Sequence, residues 1–283
     1  MQPMRSWSHA MLKLTLFDTG YCFVPEWQVL RGGALRRVAI HALAALLEHP
    51  QHGLLLFDTG YAPRMVDATQ PWPFRLYRYM TPLHLRPELA LVNQLAARGI
   101  APEAIKLVVI SHFHADHVAG LRDFPQAQIF VERSALNQAL RLRGFAALRR
   151  GLVPALHPPD LAQRTICADN LPLGPELPHL GPTRDLLGDG SFLLVALPGH
   201  ACGQLGALLH TTNGPVLLAA DGAWTSRSFR EPCPPSRLTN LLVDDVRAVH
   251  ATLARLHAFA QARPDVRILP CHCPEVQKTW AML

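Results

Sequence analysis

The hydrophobic positions of this chain fall into short apolar runs that end at polar residues, a pattern typical of β-strands. Leu14 to Phe17 leads into Asp18-Thr19-Gly20, and Gly53 to Phe57 leads into Asp58-Thr59-Gly60. Both segments share Leu-Phe-Asp-Thr-Gly-Tyr, but the match does not recur, so we infer no repeat architecture. We predict two strands that each end in a glycine turn.

Four later runs end at residues that can bind metals. Because strands of one sheet end along a common edge, four distant segments can meet there. A hairpin turn at Asn213-Gly214 joins Leu205 to His210 with the third of these runs, Val216 to Ala220. The runs are Ile105 to Ile110 before His112, Phe192 to Leu197 before His200, a run that ends at Ala220 before Asp221, and Val266 to Leu269 before His272.

Helical spacing is confined to a few segments. Pro87 opens a predicted helix that stops at Gly99, and Phe130 to Leu142 is partly helical. Asp244 can cap a helix that stops before Pro264. Prolines and aromatics alternate at residues 61–87, which favours an irregular excursion over regular structure.

Composition limits the class of protein. With 283 residues, 49% hydrophobic and 17% charged, the chain is typical of a globular protein. We predict a single domain over residues 1–283, because the candidate site residues span most of the chain. The longest apolar stretches, such as Val38 to Leu47, are too short to span a bilayer, and the N-terminus does not resemble a signal peptide. We therefore expect a cytoplasmic protein without a membrane partner.

The charged residues and cysteines give no sign of other partners. The net charge of +6 is dispersed, and a solvated helix explains the cluster of Arg141, Arg143, Arg149 and Arg150, so no nucleic-acid partner is expected. The six cysteines are scattered, apart from Cys271 and Cys273 on either side of His272, and disulfides are not expected.

The loop Ser111 to His117 carries the densest chemistry of the chain. It holds three imidazoles and a carboxylate, those of His112, His114, His117 and Asp116. Imidazole is the commonest neutral ligand for zinc and iron, and a carboxylate adds the negative charge that a second ion needs. We interpret this loop as a metal-binding loop at a strand end.

Together with His200, Asp221 and His272, the four loop residues make seven ligand-type residues. This is too many for one tetrahedral zinc and suits a pair of ions. Two cations can share a bridging hydroxide and supply a nucleophile near neutral pH. Asp116, a ligand that can also reach a leaving group, is the candidate general acid. We expect one ion at His112, His114 and His200, the other at Asp116, His117 and His272, and Asp221 between them.

These residues resemble the metallo-β-lactamase superfamily. Its HxHxDH signature stands here at residues 112–117, and its later ligands match His200, Asp221 and His272. Asp58 matches the family's aspartate that supports the histidine loop. The resemblance implies an α/β fold, a four-layer αβ/βα sandwich of two mixed β-sheets flanked by helices, with the ions at one edge between the sheets.

Within the superfamily, the layout is most similar to the N-acyl homoserine lactonase branch. That branch commonly has a tyrosine three residues after the bridging aspartate, and Trp224 stands at this place. We expect Trp224 to form a wall of the substrate pocket, since indole offers one N–H donor and a large apolar face. Cys271 and Cys273 are either thiolate ligands or small buried residues, and the second interpretation is favoured.

The leading hypothesis is a dinuclear metal-dependent hydrolase that opens a lactone or related ester, such as an N-acyl homoserine lactone, by attack of a metal-bound hydroxide. Its expected cofactors are two divalent transition-metal ions, zinc first, with iron, manganese or cobalt as alternatives. The expected partner is a small ester or lactone, and a homodimer is left open.

Three other functions are left open. A phosphotriesterase or aryl-ester hydrolase could use the same site, and the face of Trp224 would suit it. An iron-dependent oxidoreductase could use the same ligands, because sequence does not fix the metal. A regulatory binding protein with low turnover is the third, and the complete ligand set argues against it.

Overall fold

The apolar runs form two β-sheets in the computed structural model, which describes residues 10–239 and 242–280. The first sheet consists of β1 (Lys13–Pro25), β2 (Arg37–His49), β3 (Gly53–Phe57), β4 (Leu83–His84), β5 (Ile105–Val109), β6 (Gln128–Val131) and β7 (Thr165–Cys167). Its strand order is β4-β1-β2-β3-β5-β6-β7. Strands β1 to β3 pair antiparallel, whereas β3, β5, β6 and β7 pair parallel, so the sheet is mixed.

The second sheet is built by the later part of the chain. It consists of β8 (Thr183–Asp185), β9 (Phe192–Ala196), β10 (Leu205–Thr211), β11 (Gly214–Ala220) and β12 (Arg267–Pro270). The order is β12-β11-β10-β9-β8, in which β10 and β11 form the predicted hairpin and β11 pairs parallel with β12. This sheet is therefore mixed as well.

Helices cover the outer faces of both sheets, and the last helix packs through Val276 into the layer between them. The helices are α1 (Glu26–Val29), α2 (Met65–Ala68), α3 (Arg75–Met80), α4 (Leu91–Ala96), α5 (Ala115–Val118), α6 (Arg133–Arg141), α7 (Gly144–Leu148), α8 (Leu161–Arg164), α9 (Ser226–Arg230), α10 (Val246–Ala262) and α11 (Pro274–Trp280). None of those in residues 10–239 and 242–280 combines the length and apolar character that a bilayer crossing requires.

Neighbouring strand residues point to different layers, because successive side chains leave a strand on opposite faces. Leu218 of β11 packs between the two sheets, whereas Leu217 packs against α10 through Leu253 and Leu256. On the first sheet, Leu46 faces the helices on the other outer side. One apolar layer lies between the two sheets, and one lies between each sheet and its helices. This order of helices, sheet, sheet and helices confirms the predicted αβ/βα sandwich.

The two Asp-Thr-Gly tripeptides meet in space. The hydroxyl of Thr19 donates to the carbonyl of Ala42 at 2.7 Å and accepts from the backbone N–H of Tyr61 at 2.8 Å. Gly60 has a φ of +65°, and any side chain there would overlap the Thr19 hydroxyl. Strand β1 is therefore locked onto the turn that follows β3.

Local structure differs from the sequence prediction in four places. Strand β1 continues past Asp18 through a bulge, because β2 pairs with it along its whole length. The excursion at residues 61–87 contains α2, α3 and β4. The helix predicted from Pro87 to Gly99 is a 3₁₀ turn followed by α4. Asp245, not Asp244, caps α10 by accepting from the N–H groups of Arg247 and Ala248 at 2.8 and 3.1 Å.

Candidate metal centre and active site

The structure brings all seven predicted ligands together at one edge between the sheets. The ligands lie in the loops that follow β5, β9, β11 and β12. The donor atoms form two groups of four residues. Within each group all donor atoms lie within 4.8 Å of one another, and Asp221 belongs to both groups. The groups are His112, His114, His200 and Asp221, and His117, Asp221, Cys271 and His272.

Asp116 lies beside the second group. Its Oδ2 is 3.4 Å from Nε2 of His272 and 3.8 Å from Nε2 of His117. The second group differs from the sequence expectation because it includes Cys271, whose Sγ is 2.8 Å from Oδ1 of Asp221. Six of the seven predicted ligands therefore fall into the two groups, and the seventh is their neighbour.

The carboxylate of Asp58 supports the histidine loop through hydrogen bonds. Its side chain is buried directly after β3, with a positive φ of 59°. The carboxylate accepts from the N–H of Ser111 at 2.7 Å, from the Ser111 hydroxyl at 2.8 Å, and from Nδ1 of His117 at 2.7 Å. Such contacts fix the ring orientation of a metal-binding histidine. The structure thus places Asp58 between the end of β3 and the histidine loop.

Two imidazole nitrogens in this loop are buried without a hydrogen-bond partner. They are Nε2 of His112 and Nε2 of His117. The opposite nitrogen of His112 lies 3.0 Å from the Ser111 hydroxyl, and that of His117 faces Asp58. A buried polar atom without a partner is costly, and a cation at the lone pair of His112 would remove that cost. Nε2 of His117 lies 3.4 Å from Oδ1 of Asp221.

Both oxygens of Asp221 are surrounded by donors. Oδ2 lies 2.9 Å from Nε2 of His200 and 3.1 Å from Nε2 of His272, and it accepts from the indole N–H of Trp224 at 3.0 Å. Oδ1 accepts from Cys271. Nδ1 of His272 donates to the carbonyl of His41 at 2.5 Å, which turns its other nitrogen toward Asp221.

The electrostatic environment divides the histidines. Burial, together with neighbouring imidazoles, holds the pKa of His112 and His114 well below the usual value. Burial also opposes protonation of His117 and His272, but nearby carboxylates, with Asp58 foremost for His117 and Asp221 for His272, outweigh it and raise their pKa well above that value. The first pair is thus neutral, the form in which imidazole binds metals.

A large cavity opens above these residues. Its volume is about 560 Å³, and His114, Asp116, His200, Asp221 and His272 line it on the metal-site side. Trp224 lines this cavity, and its N–H donates to Asp221. The remaining lining is mostly apolar, which suits a ligand with a hydrocarbon or aromatic part.

Several lining residues were missed by sequence reasoning. Tyr77 and Met80 come from α3, in the segment predicted as irregular, and Phe145 and Arg149 come from the chain around α7. The aromatic content of residues 61–87 was a usable signal for Tyr77. No local pattern marks Phe145 or Arg149, because their position depends on how α7 packs beside the site.

Sequence and structure comparisons agree with this architecture. The model of the metallo-beta-lactamase superfamily matches residues 40–272. An N-acyl homoserine lactonase, AttM of Azorhizobium caulinodans, is 29% identical over 245 residues, which cover 81% of this chain and 81% of that protein. A probable metallo-hydrolase of Mycobacterium tuberculosis is 27% identical over 252 residues, 82% of this chain and 74% of that protein.

A solved structure of an N-acyl homoserine lactone hydrolase, with the product N-hexanoyl-L-homoserine at its catalytic metal center, superposes with a TM-score of 0.73. It is 19% identical, and the match covers 96% of each chain. The fold, the position of the ligand-type residues at four strand ends and the match over residues 40–272 lead to one conclusion. The chain belongs to the metallo-β-lactamase superfamily.

Proposed function

We propose that this protein is a metal-dependent hydrolase of the lactonase type, which uses two divalent transition-metal ions to open a lactone or related ester. The observation that carries the proposal is the pair of four-donor groups that share Asp221. One shared carboxylate between two donor groups is the arrangement expected for a two-ion site.

The residues present fit such a pair of ions. The donors are imidazole nitrogens and carboxylates, which suit zinc and its neighbours in the first transition row. Nε2 of His112 and Nε2 of His117 belong to different groups. A cation would bind the lone pair of His112, and a second cation would replace the proton that the surrounding carboxylates favour on His117. The chemistry of the donor set and its burial therefore both support metal binding.

The chain would hold the ions through the following residues. His112, His114 and His200 would hold one, Asp116, His117 and His272 would hold the other, and Asp221 would contact both. Bound divalent cations of this kind lower the pKa of water toward neutrality and polarise a carbonyl group. Cys271 would contact Asp221 rather than an ion, since its Sγ is placed to donate to Oδ1.

Asp116 is the side chain placed to move a proton. It lines the cavity, its side chain keeps 15% of its surface exposed, and its Oδ2 lies between His117 and His272. We assign it as the general acid, which gives a proton from its carboxyl oxygen to the departing alkoxide. Its partial exposure allows the proton to be replaced from solvent.

The cavity wall would bind the acyl part of the substrate. Apolar side chains such as Ile40 and Leu148 line the cavity beside Trp224, whose N–H is bonded to Asp221. A substrate would thus be oriented mainly by apolar contact, with its ester group toward Asp221. The relative AttM of Azorhizobium caulinodans, an N-acyl homoserine lactonase, supports this assignment.

Metal analysis combined with a substrate panel tests the proposal. We expect about two transition-metal ions per chain, and hydrolysis of N-acyl homoserine lactones that is abolished in His114→Ala and Asp221→Ala. A protein that binds no metal after reconstitution would refute the proposal. Rapid turnover of aryl esters or phosphotriesters, with lactones cleaved at background rate, would favour the second candidate, which the aromatic face of Trp224 in the cavity would suit.

A further inference from the structure

Large apolar side chains stand exposed around the mouth of the cavity. Met80, Phe145, Leu238 and Leu242 all line the cavity, yet 63%, 57%, 58% and 48% of their surfaces are exposed. Trp72, 65% exposed, packs edge-to-face on Phe145 with ring centroids 5.5 Å apart. We call these five residues the apolar rim. Side chains that line a cavity and also remain half exposed must stand at its opening.

Such a group is unusual on a protein surface. Large apolar side chains are normally scattered singly, whereas a contiguous group indicates a surface that binds another apolar phase. Three separate segments contribute to the apolar rim, namely residues 68–87, 133–159 and 232–243. The rim is therefore a product of the tertiary fold.

The charged side chains directly beside the rim residues are basic. The three segments contain nine arginines, of which Arg86 pairs with Glu88 and Arg150 with Asp244. Exposed arginines stand beside rim residues: Arg78 near Met80 on α3, Arg149 in the cavity lining, and Arg237 next to Leu238. Arg150 is bound to Asp244 and adds little to this field. The opening of the cavity is apolar in the centre and basic around it.

We infer that the apolar rim docks onto an anionic phospholipid surface, with the cavity mouth facing the bilayer. Apolar side chains can enter the boundary of the acyl chains while neighbouring arginines contact the phosphate groups. This is a peripheral contact and requires no spanning helix. It revises the sequence expectation of no membrane partner, which depended on the absence of a spanning segment and a signal peptide.

The charge pattern favours a membrane over a second copy of the chain. Two copies that met through the same face would bring the exposed Arg78, Arg149 and Arg237 of both copies together, and like charges at an interface oppose association. Nucleic acid would satisfy the arginines, but it would leave the central apolar side chains without a matching surface. An anionic bilayer offers both negative charge and an apolar interior.

The docking would give the cavity a direct route to lipophilic ligands. A molecule dissolved in the bilayer could enter the cavity past Phe145 and Met80 without crossing water. Membrane docking itself does not depend on the proposed hydrolysis, because binding to vesicles can be measured without substrate or metal.

Vesicle sedimentation of the full chain tests the inference. We expect binding to phosphatidylcholine vesicles that contain phosphatidylglycerol to exceed binding to pure phosphatidylcholine by at least about tenfold, and to weaken as salt screens the charges. Met80→Glu combined with Phe145→Glu should lower this binding by at least about tenfold. Leu173→Glu, at an exposed leucine outside the rim (67% exposed), should leave it unchanged.

A second set of variants tests how much the arginines contribute to vesicle binding. Arg78→Glu with Arg237→Glu should lower binding to anionic vesicles, whereas Arg247→Glu on α10 should have little effect. Sedimentation that is absent, or equal with and without phosphatidylglycerol, would overturn the inference. A dimer in solution that Phe145→Glu dissociates would assign the rim to a second copy, and duplex DNA binding lost in the same variants would assign it to nucleic acid.

Discussion

The indole N–H of Trp224 donates to Oδ2 of Asp221 at 3.0 Å, the same oxygen that faces His200 and His272. A residue three positions after the aspartate thus orients the carboxylate shared by both donor groups. Hydrogen bonds of this kind fix a ligand and are commonly worth ten- to a hundredfold in metal affinity.

Replacing the indole tests this relationship. Trp224→Phe keeps an aromatic ring but removes the N–H, and we expect metal affinity to fall by about tenfold or more in a chelator competition. Phe145→Leu, which also changes the cavity wall but not Asp221, should keep the metal affinity of the unmodified chain. Unchanged affinity in Trp224→Phe, with only KM altered, would mean that Trp224 acts as a wall alone.

Cys271 should act through its hydrogen bond to Oδ1 of Asp221. Cys271→Ser retains a donor and should keep metal affinity, whereas Cys271→Ala should lose about tenfold. The cobalt-loaded protein should lack the near-ultraviolet absorption of a cobalt–thiolate bond. Strong absorption that disappears in Cys271→Ser would show that the sulfur is instead a direct ligand.

The two Asp-Thr-Gly tripeptides provide a matched pair for stability. Asp58→Ala leaves three buried donors without an acceptor, and we expect a loss of about 2–4 kcal/mol in the free energy of unfolding. Asp18 is half-buried and contacts Gly20 and His41, so Asp18→Ala should cost about 1 kcal/mol. Urea denaturation of chelator-treated proteins measures both. Equal losses would argue against a special role for Asp58.

Gly151 lies against the ring of His114. A Cβ at this position would lie 2.6 Å from Cδ2 of His114, and its φ is +66°. Gly188 has a similar φ of +82° but nothing within 4 Å. Both alanine variants should lose about 1 kcal/mol of stability from the backbone, but only Gly151→Ala should also lose metal, by about tenfold. Metal analysis after dialysis separates the two effects.

His157 should make folding depend on pH. Burial, and then the charge of Arg143, lowers its pKa from 6.5 to about 4. Between pH 6.5 and about 4, His157 is protonated in the unfolded chain but neutral in the folded protein. The free energy of unfolding is therefore highest above pH 6.5 and decreases as the pH falls toward 4. The slope should be on the order of 1 kcal/mol per pH unit. His157→Phe should show a shallower slope in urea denaturation at several pH values, and identical slopes would contradict this.

The position of the candidate site was predictable from sequence because each ligand lies in a loop that follows an apolar strand. His112, Asp221 and His272 need no long-range information beyond the strands that precede them. Since a strand fixes the direction in which the chain leaves the sheet, residue type and order were enough to predict which residues meet.

The sequence could not predict the surroundings of that site. Whether Asp244 or Asp245 caps α10 depends on Arg150, which binds Asp244 from a segment far away along the chain. The cavity wall near Phe145 likewise depends on the packing of α7, and nothing in the local pattern encodes it. Contacts between remote segments decide these features, and periodicity carries no information about them.

Strand β1 ends before residue 40, where the match to the superfamily begins. Cutting the chain at that boundary would nevertheless remove all of β1, which pairs with β2 at 11 positions, together with the Thr19 hydroxyl that packs against Gly60. The trimmed fragment would present a long bare edge, a known template for aggregation. Expression of the catalytic part of this enzyme therefore has to include its first strand.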